Sequence, residues 1–230
     1  MQLIHGDCIS AMEQMPDGSV DLILTDPPYN IKVKRTKNGK ARTEEWDCIK
    51  DYPDFMMRWI AQAHRVLKPQ GVMYFFHNDM NQLPEIMERI RQETDFALIS
   101  FLIWDKVNYR TNRWKNGKPE CAPPNSTGRL HVCQKPVQLL RRLVRVSSNP
   151  GDVVLDCFMG SGSTGCAALR EGRDFIGIEL DAGFFAAAKK RIEEEAANPY
   201  ADNLTIWDDT LTRRACRTGA NRQPQTSKLQ

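Results

Sequence analysis

Six short apolar runs recur along the chain, and most of them are followed at once by a polar or acidic residue. They are Leu3-Ile4, Val20 to Leu24, Val72 to Phe76, Ala97 to Ile103, Val153 to Leu155 and Phe175 to Ile178. Short apolar runs bounded in this way predict buried strands. Between them apolar residues recur with helical spacing, over Asp54 to Leu67, Leu83 to Arg91, Val137 to Val146, Thr164 to Leu169 and Phe184 to Ala196. Strands that alternate with helices predict an α/β fold with a mostly parallel, doubly wound sheet.

The size and charge of the chain limit its organisation. Its 230 residues suffice for one α/β domain with a sizeable core. The formal net charge is only +3, so a nucleic-acid surface would have to be local. Two stretches, Lys32 to Arg42 and Lys106 to Lys118, are rich in basic residues and contain no acids. The polar, arginine-rich tail predicts a single domain over residues 1–207 and a poorly ordered segment over 208–230.

The cysteines and the first residues indicate the compartment. The seven cysteines are scattered and never spaced as CxxC, which argues against a disulfide framework or a zinc site and favours a reducing cytosol. No run reaches the roughly 18 apolar residues that a membrane-spanning helix needs. The first residues lack the basic and apolar regions of a secretory signal. We therefore expect a cytoplasmic protein that uses neither a membrane nor a metal.

A glycine-rich turn, CFMGSGSTG at residues 157–165, lies between a predicted strand and a predicted helix. In this arrangement main-chain amides approach a nucleotide-like ligand. No lysine precedes Ser163 or Thr164, so the turn is not a Walker A loop. Glu179 follows Gly160 by 19 residues, close to the spacing at which an acid binds a ribose. The pattern favours an adenosine-type ligand, and the alternative is a turn that serves only tight packing of strand on helix.

The segment TDPPY places an acid, two prolines and a ring directly after a strand. Proline fixes its own φ and restricts the residue before it, so Pro27 and Pro28 hold the Asp26 carboxylate and the Pro27 carbonyl at fixed angles. The alternative is an ordinary β-turn that closes the strand, because Asp and Pro are common turn residues.

The chain resembles the DNA amino-methyltransferases that use S-adenosylmethionine, in the segments HGDC at 5–8, TDPPY at 25–29, QKP at 134–136, and FMGSGSTG and GIE at 158–165 and 177–179. The resemblance covers Gln2 to Arg191. Because DPPY precedes the glycine turn by about 130 residues, the order resembles the permuted β group, with a catalytic half at 1–95, a short target-recognition insert at 104–130 and a cofactor half at 131–197.

This resemblance implies a Rossmann-like methyltransferase fold. Its seven-stranded, mostly parallel sheet has one antiparallel strand and helices on both faces. In that fold the strand at Leu3-Ile4 would lie beside the strand at Val20 to Leu24.

The resemblance also implies S-adenosyl-L-methionine as the cofactor. The implied binding residues are Asp7, Cys8, Asp26, Lys135, Asp156, Phe158, Gly160, Ser161, Gly162, Ser163, Thr164 and Glu179. Asp7 would accept from the amino group of the cofactor's adenine, and Glu179 would bind its ribose. The alternatives are a strand-end turn residue for Asp7 and a solvated surface lysine for Lys135. The family usually has proline where Cys157 stands.

The implied catalytic residues are Asp26, Pro27, Pro28 and Tyr29. The Asp26 carboxylate and the Pro27 carbonyl would accept hydrogen bonds from the target amino group, which makes its nitrogen more tetrahedral and aims its lone pair at the methyl carbon. Because the target atom is buried in the duplex, the base must flip out, and Tyr29 would stack on it. His77 is interpreted as a strand-end residue rather than a base.

Double-stranded DNA is the implied partner. The residues expected to contact it are Lys32, Lys34, Arg35, Lys37, Tyr109, Arg110, Arg113, Trp114 and Lys115. Basic side chains would bind phosphates, and aromatic ones would stack or wedge; solvated loops are the alternative. The short insert suggests a recognition site of a few base pairs, read with help from a second subunit of a homodimer.

The sequence leaves alternatives open for the methylated base and for the class of protein. Adenine is expected because family usage places Asp first in the motif mostly for adenine and Ser mostly for cytosine. The cytosine amino group is the nearest alternative. Protein-glutamine methyltransferases instead resemble NPPY placed after the glycine turn. A non-catalytic relative that binds DNA or cofactor is a further alternative, against which the intact Asp26 and Tyr29 argue. Both a solitary enzyme and one half of a restriction-modification system fit the sequence.

Overall fold

The computed structural model of the protein describes residues 1–30, 34–37, 40–43, 48–104 and 135–197. These residues belong to one compact unit, Met1–Asn198. The predicted domain boundary at residue 207 and the predicted tail lie outside the described residues, as does most of the predicted recognition insert.

The core of the unit is a five-stranded sheet. Its strands are β1 (Gln2–His5), β2 (Val20–Thr25), β5 (Leu67–Phe75), β6 (Val153–Asp156) and β7 (Asp174–Glu179). They are ordered β1-β7-β6-β2-β5, and every neighbouring pair is parallel. Two further strands, β3 (Lys34–Lys37) and β4 (Lys40–Thr43), pair separately and antiparallel.

Within the described residues, six helices cover both faces of this sheet. They are α1 (Cys8–Glu13), α2 (Tyr52–Val66), α3 (Leu83–Glu93), α4 (Val137–Ser147), α5 (Ser163–Arg170) and α6 (Ala182–Ala197). Successive side chains of a strand point to opposite faces: Ile23 packs with residues of α1, α2 and α3, whereas Leu22 and Leu24 pack with residues of α4, α5 and α6. The predicted α/β fold with helices on both faces is confirmed. None of the helices described has the length and hydropathy that a membrane crossing requires.

Two predictions about the main sheet are wrong for the described residues: it has five strands and not seven, and none of them is antiparallel. The apolar run from Ala97 to Ile103 is not a strand, and Ile99 and Ile103 are 85% and 92% exposed. A strand needs a neighbour to receive its main-chain hydrogen bonds. A run of apolar residues does not reveal whether such a neighbour exists.

The predicted position of the first strand is also wrong. β1 pairs with β7, with Gln2 opposite Ile176, and does not lie beside β2. Both edges of β2 are taken, by β6 on one side and β5 on the other. Helix α1 and the β3–β4 pair were not predicted, although Asn38-Gly39 separates these two strands in the sequence and is typical of two-residue hairpins.

This topology brings the two predicted motifs together. Because all five strands run parallel, their carboxyl ends meet at one edge of the sheet, where ligands of doubly wound folds bind. β2 and β6 are neighbours, with Leu22 opposite Val154 and Ile23 opposite Leu155. The DPPY segment that follows β2 and the glycine turn that follows β6 therefore leave the sheet side by side.

Candidate active site

A cavity of about 610 Å³ opens at the carboxyl edge of the sheet. Residues from the end of every sheet strand line it: Asp7 beyond β1, Asp26 after β2, Phe76 after β5, Asp156 at the end of β6 and Glu179 at the end of β7. All the predicted catalytic residues line this cavity, as do all but one of the predicted cofactor residues. The DPPY segment and the glycine turn thus face one pocket.

The exception is Gly162, and its geometry explains why. Gly160 and Gly162 both have positive φ, 53° and 73°, a conformation that favours glycine. Gly160 lines the cavity, whereas a Cβ at Gly162 would lie 2.9 Å from Cδ1 of Ile192. Gly162 therefore permits close packing of α5 on α6 and does not contact the pocket.

Glu179 is fixed by main-chain donors. Its Oε2 accepts the Gly160 N–H at 2.7 Å, and its Oε1 accepts the Asp181 N–H at 2.9 Å. Burial raises the pKa of the Glu179 carboxyl, although these two hydrogen bonds oppose the shift. A carboxylate has about four lone-pair sites, so the same group has the capacity to accept from a ribose diol as well.

Asp156 is the most deeply buried acid of the pocket, with 3% of its surface exposed. Its Oδ1 accepts from the Thr25 hydroxyl at 2.7 Å and from the Phe158 N–H at 3.1 Å. Burial raises the pKa of Asp156 to about 6 in spite of these bonds. This carboxylate also ties the end of β2 to the glycine turn.

Asp7 is a helix cap that also lines the pocket. Its Oδ1 accepts from the Ser10 N–H at 3.0 Å and from the Ser10 hydroxyl at 3.1 Å. Such a bond satisfies a main-chain donor at the start of α1. The cap leaves the Asp7 side chain at the pocket wall, and its contact with the cofactor's adenine stays a prediction.

Two lining cysteines are buried and neutral. Burial raises the pKa of Cys8 to about 12 and that of Cys157 well above its usual value. Neutral thiols are poor nucleophiles, so neither residue is a candidate for covalent catalysis. Cys157, where the family usually has proline, donates to the Thr25 hydroxyl at 3.7 Å.

The Asp26 carboxylate binds two side chains. The Lys135 ammonium and the Tyr29 hydroxyl each donate to it. The Lys135 and Asp26 side chains are only 11% and 21% exposed, and the Lys135 Nζ lies 4.9 Å from the ring centre of Phe76. The surface-lysine alternative is wrong, because Lys135 is buried against the proposed catalytic acid.

The Pro28 carbonyl is held by a second set of side chains. It accepts a hydrogen bond from the Tyr52 hydroxyl at 2.8 Å. The Tyr52 oxygen lies 3.2 Å from His77 Nε2, and His77 Nδ1 lies 3.1 Å from the Asp79 amide nitrogen. His77 lies two residues beyond β5, as expected for a strand-end residue, and it also takes part in this network; that it is not a base stays a prediction.

Sequence reasoning missed the partners that shape the site. Lys135 and Asp26 are 109 residues apart, and Tyr52 and Pro28 are 24 apart. Arg191 on α6 donates to the Ser161 carbonyl at 2.9 Å and so supports the glycine turn. No local pattern signals such contacts, because they depend on which helix packs over which strand end.

The pocket lining is acidic. Its described ionisable carboxylates are those of Asp7, Asp26, Asp156, Glu179 and Asp181, and Lys135 is the one lysine or arginine among the described lining residues. Within the described ranges, no three His, Cys, Asp or Glu side chains are grouped to hold a metal. Such a lining favours a ligand that carries positive charge.

Most residues predicted to bind DNA lie outside the described residues, namely Lys32, Tyr109, Arg110, Arg113, Trp114 and Lys115. Lys34, Arg35 and Lys37 belong to β3, where Arg35 is opposite Arg42 and Lys37 is opposite Lys40 of β4. Their role in DNA binding stays a prediction.

Comparison with known proteins identifies relatives of the whole unit. Residues 20–121 and 109–190 match the model of the N6/N4 DNA methylase family. The type II methyltransferase M.HinfI of Haemophilus influenzae is 30% identical, over 86% of this chain and 69% of the relative. The DNA adenine methyltransferase YhdJ of Escherichia coli (strain K12) is 32% identical, over 83% of this chain and 82% of the relative. The solved M1.HpyAVI–SAM complex shares the fold, with a TM-score of 0.59 and 24% identity, covering 83% of this chain and 98% of that one.

Proposed function

The chain belongs to the N6/N4 DNA methylase family, and from that premise we propose that it methylates the exocyclic amino group of adenine in double-stranded DNA, with S-adenosyl-L-methionine as methyl donor. One observation carries the proposal: the DPPY segment and the glycine turn line the same cavity, from neighbouring strands. Family membership makes the protein a DNA methyltransferase, and the choice of base and the residue roles are the proposed part.

The residues of the pocket fit the methyl donor. A volume of about 610 Å³ lies within the 300–1,000 Å³ that is usual for small-molecule sites. Glu179 offers carboxylate oxygens for a ribose diol, and the acidic lining suits the positive charges of a sulfonium and an ammonium. Phe158 adds an apolar face beside Trp59, with ring centres 5.5 Å apart. When bound, the cofactor supplies an electrophilic methyl group.

The DPPY segment would prepare the nucleophile. The adenine amino group is a weak nucleophile because its lone pair is delocalised into the ring. Asp26 and the Pro27 carbonyl would accept its two N–H groups, localise the lone pair and hold the nitrogen in line with the methyl carbon, which is the positioning effect that accelerates bimolecular reactions. For the amine to bind there, the Tyr29 hydroxyl or the Lys135 ammonium has to share or leave the Asp26 carboxylate.

The proposed binding of DNA and flipping of the target base rest on chemical reasoning and on the sequence. The target base has to leave the duplex to reach a pocket of this depth, and Tyr29 at its wall would stack on the flipped base. The basic stretches at 32–42 and 106–118 would bind phosphates, with a second subunit of a homodimer helping to read a short site. The order of DPPY before the glycine turn supports the permuted β group.

Adenine is favoured over cytosine by two facts. The motif begins with Asp26, and YhdJ is a DNA adenine methyltransferase at 32% identity. The family also contains enzymes that modify N4 of cytosine, so the cytosine amino group is the competing target. Similarity to the type II methyltransferase M.HinfI supports a place in a restriction-modification system.

Isotope transfer tests the proposal. Unmodified duplex DNA is incubated with the protein and methyl-labelled S-adenosyl-L-methionine, digested to nucleosides and analysed by mass spectrometry. We expect labelled N6-methyldeoxyadenosine. Labelled N4-methyldeoxycytidine would establish the competing target, and unlabelled DNA from protein that binds the cofactor would overturn the assignment.

A matched pair of variants tests the role of the carboxylate. Asp26→Ala is expected to lower the turnover number at least about 100-fold, a typical loss for a group that acts in the transition state, with little change in cofactor affinity. Asp54→Ala removes an exposed acid that pairs with Arg89 away from the pocket and should leave turnover unchanged. Turnover of Asp26→Ala near the wild-type value would contradict the role of Asp26.

A further inference from the structure

We propose that Tyr52 and His77 are positioning residues, which fix the DPPY segment for catalysis by holding the main-chain carbonyl of Pro28. The proposal rests on the proposed function, because it assigns these residues a part in the same methyl transfer. Neither residue belongs to the motifs from which the catalytic site was predicted.

The two prolines create the need for such a contact. Proline has no N–H, so neither Pro27 nor Pro28 can donate a main-chain hydrogen bond. The rings fix φ, and Pro28 restricts the ψ of Pro27, but no proline follows Pro28, so rotation about its ψ still sets the direction of its carbonyl. The two prolines can therefore be held only through their carbonyls, and a hydroxyl that donates to the Pro28 carbonyl supplies such a constraint.

The hydrogen-bond chain has only one consistent direction. The Asp79 main-chain nitrogen can only donate, so His77 Nδ1, 3.1 Å away, is the acceptor and carries no proton. In the neutral ring the proton then lies on Nε2, which donates to the Tyr52 oxygen at 3.2 Å. The Tyr52 hydroxyl is thereby directed at the Pro28 carbonyl at 2.8 Å.

Burial favours this neutral ring. Tyr52 is 3% exposed, and burial lowers the pKa of His77 although the Asp79 carboxylate opposes the shift. The titratable side chains next to the imidazole are Tyr52 on α2, Tyr29 after β2 and Asp79 beyond β5. Protonation of Nδ1 would set its N–H against the Asp79 N–H and break the chain at its start.

The pair contacts the DPPY segment, which carries the acid and lines the pocket. The rings of Tyr29 and His77 are 5.7 Å apart, and the Tyr29 carbonyl accepts from Gln82 at 3.2 Å. Without the Tyr52 hydroxyl, the Pro28 carbonyl would lose its donor and the segment could rotate about ψ. A small displacement of the acceptors would misalign the target nitrogen and slow the transfer.

Tyr52→Phe tests the hydroxyl with little change of shape. We expect the turnover number for DNA methylation to fall about 5- to 10-fold, the range for loss of one hydrogen bond, while the cofactor Kd and the KM for DNA stay within twofold. Tyr74→Phe is the matched control, because the Tyr74 hydroxyl bonds Ser147 on the other face of the sheet, at 2.7 Å, and does not line the pocket. Tyr74→Phe should keep wild-type turnover.

His77 is tested by rescue and by pH. His77→Leu should lose turnover as Tyr52→Phe does, whereas His77→Gln keeps an amide N–H for the Tyr52 oxygen and should recover at least half of the loss. The turnover number of the wild type should fall as the pH is lowered and His77 is protonated, at a pH below the ordinary pKa of histidine. The pH profile of His77→Gln should lack this decrease. A general loss of structure would instead lower the melting temperature and cofactor affinity without recovery in His77→Gln.

A nitrogen NMR measurement keeps this test independent of the proposed function. The ring ¹⁵N shifts of His77, assigned by comparison with His77→Gln, should report a proton on Nε2 and none on Nδ1. An Nδ1–H ring, or wild-type turnover in Tyr52→Phe, overturns the positioning role. Wild-type protein that methylates no DNA overturns the proposed function instead, and the ring shifts still decide whether the hydrogen-bond chain exists.

Discussion

Two walls of the same cavity are held by different kinds of contact. On the cofactor wall, formed by the glycine turn and the ends of β6 and β7, Glu179 accepts main-chain N–H groups from Gly160 and Asp181. On the catalytic wall, formed by the DPPY segment at 26–29, the described partners of Asp26 are the side chains of Lys135 and Tyr29. Main-chain groups therefore hold the acid of the first wall, and side chains hold the acid of the second, one of them, Lys135, from 109 residues away along the chain.

The difference has a functional reason. Main-chain donors cannot leave without unfolding the turn, so we expect the cofactor wall to keep its form when the ligand binds. Side chains can rotate, so Asp26 can exchange an ammonium or a hydroxyl for the amino group of a substrate. The Lys135 ammonium makes the type of hydrogen bond that a target N–H would make. The Asp26 carboxylate is therefore hydrogen-bonded before the substrate arrives and can still accept the substrate's amino group.

The largest effect that separates the walls is expected from Glu179→Gln. The substitution keeps one acceptor oxygen for the main-chain donors but removes the charge and one acceptor for the ribose hydroxyls. Loss of a charge-assisted hydrogen bond costs about 1.5–3 kcal/mol, so the cofactor Kd should rise roughly 10- to 100-fold. Turnover at saturating cofactor should stay within a few-fold of the wild type, which is the inverse of the result expected for Asp26→Ala.

Calorimetry and steady-state rates on both variants measure this contrast. If Glu179→Gln lowers turnover at saturating cofactor as strongly as Asp26→Ala does, the two walls do not act separately, and the division drawn from their contacts is wrong.

The cofactor wall was also the easier of the two walls to predict from the sequence. The glycine turn and Glu179 are recognisable because a strand, a turn and an acid follow one another along the chain. The ion pair of Asp26 with Lys135 spans 109 residues and depends on where α4 packs, which no local pattern encodes. The same limit explains the misplaced first strand: the apolar run at Leu3-Ile4 was recognised, but its partner β7 was not.

The second prediction concerns the stability cost of an acidic pocket. The pKa of Asp156 is raised to about 6, so the folded protein holds this proton more tightly than the unfolded chain. Stability from this group is present at acid pH and is lost as pH rises from about 4 to about 6. Asp156→Asn cannot ionise but still accepts from Thr25 and Phe158. We expect it to be more stable than the wild type by about 3 kcal/mol at pH 7.5, since the pKa lies roughly two units above its usual value of 3.8 and one unit corresponds to about 1.4 kcal/mol.

Urea unfolding of the wild type and Asp156→Asn at pH 4 and pH 7.5 tests whether ionisation of Asp156 destabilises the fold. The difference in unfolding free energy should be small at pH 4 and should favour Asp156→Asn at pH 7.5, while the variant binds cofactor more weakly. An equal difference at both pH values would show that ionisation of Asp156 does not destabilise the fold.

The smallest effect is expected from the face of the glycine turn that points away from the pocket. Gly162→Ala introduces a Cβ at φ 73°, 2.9 Å from Ile192 Cδ1, whereas Gly151→Ala introduces one at φ 86° with nothing within 4 Å. Both carry the backbone strain of an L-residue in the left-handed region, about 1 kcal/mol. Only Gly162→Ala must also displace Ile192, which should add about 1 kcal/mol. The excess should appear in the unfolding free energy of Gly162→Ala and not in the cofactor Kd, because this glycine faces α6.

A cofactor Kd raised tenfold by Gly162→Ala, with stability equal to that of Gly151→Ala, would mean that the turn transmits strain to Gly160 and that the cofactor wall is less rigid than its main-chain contacts imply.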